Sequence, residues 1–117
     1  MNNPHWISAV FSPTGGCAAI AKAITGGQGQ VVDLSLPVPH TPVPDSALML
    51  AVVPVFGGRV PAVALERLAA LQGSGPAAAV VVYGNRAYED ALLELTDSLT
   101  AGGFQVVGAA AFIAQHS

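Results

Sequence analysis

Short runs of uninterrupted apolar residues alternate along this chain with stretches whose apolar positions recur every three or four residues. The first run, "HWISAVF" (His5–Phe11), reads as a strand, and a small-residue helix follows over about Gly15–Thr25, ended by Gly26-Gly27. "QVVDLSL" (Gln30–Leu36) predicts a second strand. The stretch Pro37–Ser46 carries four prolines and predicts an extended surface connection, since proline supplies no ladder donor. "ALMLAVVPVF" (Ala47–Phe56) is almost wholly apolar, the pattern of a central strand buried on both faces. Val63, Leu68 and Leu71 fall near helical spacing within Val60–Gln72, with Pro61 in the first turn and "GSGP" after it. "AAAVVVYG" (Ala77–Gly84) predicts a further buried strand. "AYEDALLELTDSLTAGG" predicts a helix with Ala91, Leu92, Leu95 and Leu99 on one face, closed by Gly102-Gly103. "FQVVGAAAFIA" (Phe104–Ala114) predicts the last strand.

Strands alternating with helices imply α/β architecture: a parallel sheet wrapped on both faces, because right-handed crossovers place the helices there. The expectation is one doubly wound three-layer domain over residues 1–117, with a five-stranded parallel sheet and the final helix missing. A sheet short of one helix leaves apolar surface near Val106, Ala110 and Phe112, which predicts either self-association, most simply as a two-fold homodimer through the last strand or its adjoining face, or a natural chain that continues past Ser117 and supplies the cover itself.

Composition narrows the function classes. Of 117 residues, 52% are hydrophobic and 9% charged, which excludes disorder. A net charge of −3 with four Lys and Arg in all, Lys22, Arg59, Arg67 and Arg86, argues against a nucleic-acid partner, which needs a basic face. The single cysteine forms no internal disulfide, "MNNPHW" lacks signal-peptide layout, and no apolar run reaches the length of a membrane span. A cytoplasmic protein without a membrane partner is the expectation.

Ligands of doubly wound sheets bind outside the carboxyl ends of the strands. Three strands here end in unusual loops that would share that edge: "SPTGGC", "PVFGGRVP" and "YGNRAYED". The first suits an anion. Ser12 and Thr14 supply hydroxyls, Gly15 and Gly16 permit close backbone approach, and N–H groups point out of the helix start. A plain turn with Thr14 as helix cap is the simpler alternative. Neither a P-loop nor a dinucleotide fingerprint is present.

"FSPTGG" before a small-residue helix, then "PVFGGRVP" and "YGNRAYEDAL", resembles the flavodoxin-like fold, with strand order 2-1-3-4-5. The resemblance is greatest to the family that fuses such a domain to a bacterial-type ferredoxin segment. It implies FMN as a non-covalent cofactor and electron transport with a ferredoxin-type iron–sulfur module or another redox protein. It assigns Ser12, Pro13, Thr14, Gly15, Gly16 and Cys17 to the FMN phosphate. Val55, Phe56, Gly57, Gly58 and Arg59 go to one edge and face of the flavin. Tyr83, Gly84, Asn85, Arg86, Ala87 and Tyr88 cover the other face, with Tyr88 stacking on the ring and Asn85 on its pyrimidine edge. Where family loops carry further hydroxyls this chain has Gly16 and Cys17, which removes donors from the phosphate loop.

Other functions compete. A flavodoxin-like interaction module that has lost FMN fits the same sequence, and an FMN reductase is a third reading, without a nicotinamide signature. Cys17 at a helix start predicts a somewhat lowered thiol pKa, yet the phosphatase arginine six residues later is Ala23. No residue is assigned a catalytic role. His5, His40 and His116 are too scattered for a metal set. Trp6 lies at the end of its strand away from the loops, Glu89-Asp90 complement a helix dipole, and a core position at the strand end is the lesser alternative for Phe56.

Overall fold

The structure, a computed structural model, describes residues 5–84 and 87–114. Its sheet is parallel throughout, with β1 (His5–Val10), β2 (Gln30–Asp33), β4 (Ala47–Pro54), β6 (Pro76–Tyr83) and β7 (Gln105–Ile113) in the order β2-β1-β4-β6-β7. Two further strands of two residues, β3 (Thr41–Pro42) and β5 (Leu71–Gln72), pair with each other apart from it. Counting only the five long strands, the order is the expected 2-1-3-4-5.

Alternation along the strands sorts the core into two layers. Ile7, Ala9, Met49, Ala51, Val53, Ala77, Ala79 and Val81 meet α2 (Ala62–Leu68) and α3 (Glu89–Ala101) through Ala64, Leu68, Ala91, Leu95 and Leu99. On the opposite face Val10, Leu50, Val52, Val80 and Val82 pack with Cys17 and Ala21 of α1 (Gly16–Thr25). Cys17, Ala21 and Thr25 recur every four residues, so one stripe of small side chains lets α1 lie close to β1 and β4. β4 is buried at every position but Leu48, as a central strand covered on both sides must be.

Three elements end earlier than the sequence suggests, each for a local reason. The second strand stops at Asp33, whose Oδ1 accepts from Ser35 N–H and hydroxyl at 2.9 and 2.6 Å, turning the chain. The second helix spans Ala62–Leu68 rather than Val60–Gln72, because Leu71-Gln72 is drawn into the small sheet. There Thr41 N–H and Val43 N–H donate to Ala70 and Gln72 carbonyls at 2.8 and 2.7 Å, and Pro42, between them, needs no donor. The central strand ends at Pro54 because Phe56 and Arg59 exchange N–H···O bonds, closing a hairpin over Gly57-Gly58. Both glycines have positive φ, 60° and 82°, the requirement of that tight turn.

Candidate functional site

β1, β4 and β6 run parallel, so the loops leaving their carboxyl ends gather at one edge of the sheet. After β1 the chain passes through half-buried Ser12 and exposed Pro13, Thr14, Gly15 and Gly16 before α1 begins. Gly15, at φ 92°, is the residue before the first helical turn, and it has no side chain with which to cap the helix itself. The cap comes from Ser12 instead of Thr14: its Oγ accepts from Ala18 N–H at 2.9 Å. That leaves the earlier N–H groups of α1, at Gly16 and Cys17, without helical acceptors, and the Ser12 hydroxyl proton without an acceptor among the described residues.

Cys17 corrects one expectation. Its side chain lies in the core beside Val10, Ala21, Leu50 and Val52, and burial pushes the thiol up to about 12. Desolvation disfavours the thiolate more strongly than the helix start favours it. Only the backbone of Cys17 faces the loop.

In the second loop Phe56, paired with Arg59 just before the two-glycine turn, is 54% exposed, so it is not the core residue it could have been. Val55 is half-buried against the core, with its N–H bonded to Val82 carbonyl at 2.9 Å. Arg59 does not stand free. Its guanidinium pairs with Glu94 of α3 at 2.5 Å, and the other Glu94 oxygen accepts Val60 N–H at 3.0 Å. The Arg59 bond is the main cause holding the Glu94 carboxyl below its ordinary value, and Glu94 in turn raises Arg59. Glu94 was not singled out from sequence. No residue pattern in the sequence announces it: no cation lies three or four residues from Glu94 on α3, which leaves it without a local partner but points to no distant one.

In the third loop Tyr83 and Tyr88 stack on one another, ring centroids 4.7 Å apart and planes 27° from parallel. Gly84 and Ala87 are exposed. Asn85 and Arg86 lie outside the described residues, as does His116. A cleft of about 270 Å³ runs between the second and third loops, lined by Gly57, Gly58, Arg59, Ala87, Glu89 and Asp90. Trp6 is half-buried at the opposite end of β1, packed on the α1 layer. His5 and His40 are exposed and far apart in the chain.

No protein-family model matches the chain, and no curated protein sequence does. Solved structures do. The chain is similar to a flavodoxin from the domain Archaea, at 17% identity and a TM-score of 0.64, covering 97% of this chain and 85% of that one. It is similar to the two-electron reduced flavodoxin of Megasphaera elsdenii, at 15% identity, a TM-score of 0.63, and 91% and 85% coverage. It is also similar to a flavoprotein from Lactobacillus acidophilus solved in complex with FMN, at 16% identity, a TM-score of 0.60, and 93% coverage of both chains. The fold is flavodoxin-like.

Proposed function

We propose that this chain binds FMN non-covalently across the carboxyl edge of its sheet and serves as an electron carrier. The observation that carries the reading is the meeting of three chemically different loops at one edge. One is rich in N–H groups, one has an exposed aromatic on a two-glycine hairpin, and one brings a tyrosine pair. The residues fit such a cofactor sterically: a Cβ added at Gly15, Gly16, Gly57 or Gly58 would meet nothing within 4 Å, so these backbones face open space. The fold shared with a flavoprotein solved with FMN supports it further.

In this reading Ser12, Thr14 and the N–H groups of Gly15, Gly16 and Cys17 hold the phosphate, with Pro13 shaping the turn. Phe56 lies along one side of the ring, and Gly57-Gly58 bring main-chain groups to its edge. Tyr83 backs Tyr88, so Tyr88 offers its remaining face to the ring, with Gly84 and Ala87 beside it. Glu94 fixes the second loop through Arg59 and Val60. FMN bound there would supply one- and two-electron redox chemistry. The partner is another redox protein, a ferredoxin-type iron–sulfur module above all, as the sequence resemblance implies.

Titration of the purified chain with FMN, read by flavin fluorescence, tests this. Quenching is expected, and Tyr88→Ala should weaken binding by about 1–3 kcal/mol through lost stacking and burial. Unchanged affinity in that variant removes Tyr88 from the ring site. One observation favours a second reading, an interaction module without FMN: the phosphate loop keeps only two hydroxyl side chains, Ser12 and Thr14. Absence of any quenching at millimolar FMN would select it.

A further inference from the structure

β7 is an edge strand, paired to β6 alone among the described residues. The two edges of the sheet differ. β2 spans four residues and ends on Asp33, whereas β7 spans nine residues, Gln105–Ile113, without a charge or a proline. Charges, prolines and short length are the usual guards of an exposed edge, and β7 has none of them. Its one irregularity is a bulge opposite Ala77/Ala78, at Val107, which leaves Gly108–Ile113 a regular ladder segment.

The register fixes what that segment presents. Ala114 N–H donates to Tyr83 carbonyl at 2.7 Å, so alternate residues back along the strand, Phe112 and Ala110, also turn their backbone toward β6. Ala109, Ala111 and Ile113 therefore turn N–H and C=O groups outward, away from the sheet. Ala111 and its alternates lie on the α3 side, where Ala109 borders a groove with Leu92, Leu93 and Thr96. Ala110 and Phe112 lie on the α1 side. Exposed apolar side chains flank the edge on both sides: Leu93 at 59%, Phe112 at 40% and Ile113 at 58%.

We propose that β7 pairs antiparallel with β7 of a second copy about a two-fold axis at Ala111, joining two sheets into one. The residue pattern is what commits the edge to itself. In that register Ala111 faces its own counterpart, Ala109 faces Ile113, and Ile113 faces Ala109. Each of these is a pair that exchanges both N–H···O bonds, because all three residues point outward. On the opposite face Ala110 meets Phe112. Every large side chain thus falls opposite a small one, twice over, from a single strand read in both directions. No charge in β7 opposes the pairing or selects a foreign strand. Glu89, the acid bordering the groove, sits at the start of α3, so an antiparallel arrangement carries the two copies' Glu89 to opposite ends of the interface.

Sedimentation equilibrium of the full chain from micromolar to near-millimolar concentration tests the pairing, with amide hydrogen exchange across the same range. The expected result is a concentration-dependent dimer in which the amides of Ala109, Ala111 and Ile113 exchange at least tenfold more slowly as it forms. Ala109→Lys, at an exposed position, and Ala111→Pro, which removes only an outward N–H, should each lower the association constant at least tenfold. Retained far-ultraviolet circular dichroism in either variant shows that the fold survives. A monomer throughout the range, or a dimer whose association constant neither variant changes, overturns the proposal.

Discussion

At the scale of single residues, Cys17 and its neighbour Gly16 divide the labour of the loop start. Gly16 faces outward with no positive φ and open space where a Cβ would be, so a side chain there is unstrained. If the proposed FMN site is correct, Gly16→Thr adds a hydroxyl donor to its phosphate end and should tighten FMN by about 0.5–1.5 kcal/mol, the net yield of one hydrogen bond. Cys17→Thr cannot help in the same way, because its side chain points into apolar core; the hydroxyl would be buried among Val10, Leu50 and Val52. A thiol pushed up to about 12 should likewise stay unreactive toward a disulfide reagent at pH 8 until the protein unfolds. Fast labelling of the native chain would contradict its burial. Ser8, 1% exposed in β1, has a hydroxyl without a hydrogen-bond partner among the described residues. Ser8→Ala should therefore raise stability by about 1 kcal/mol, seen as a higher urea midpoint with unchanged slope. The carboxylate of Glu94, the thiol orientation of Cys17 and the orphan hydroxyl of Ser8 were all hidden in the sequence, because each depends on which foreign element lies against it.

Among the elements, α3 does more than cover the sheet. Ala91, Leu95 and Leu99 supply its buried stripe, and this was readable from their spacing. From the flank of that stripe Glu94 reaches the hairpin after β4 and ties it by side chain and backbone. A carboxyl whose folded value is lowered contributes stability above its unfolded value, near the ordinary 4.5, and loses that contribution as pH falls through the folded one. Wild-type stability measured by urea between pH 7 and 3 should therefore fall more steeply below about 4.5 than that of Glu94→Gln, which has no proton to take up there. Identical slopes would mean that the tie does not persist in solution. The loss of the expected helix beyond Leu68 shows the complementary limit. Leu71 kept its apolar periodicity, but pairing of Leu71-Gln72 with Thr41-Pro42, a partner some thirty residues distant, overrode it.

For the whole molecule, the alternation of apolar runs with amphipathic ones was enough to specify a doubly wound parallel sheet, since right-handed crossovers leave few other topologies. Register was not legible. The pairing of Val82 with Phe112 and the bulge at Val107 depend on how whole elements settle against one another, and no residue type announces them. The position of Trp6 has a consequence for observing this protein. It is the chain's one tryptophan, set in the α1 layer near the amino end of β1, while Phe11 follows directly on the last residue of that strand, beside the loops. Five residues of strand at about 3.3 Å each put roughly 17 Å between them. The indole is thus too far from the loops for contact but near enough to pass excitation energy to a flavin that absorbs its emission. It works as an internal optical ruler: flavin arriving at the loops should dim Trp6 while leaving its emission wavelength fixed, whereas unfolding should shift the wavelength to the red. One cuvette then separates occupancy of the edge from integrity of the sheet.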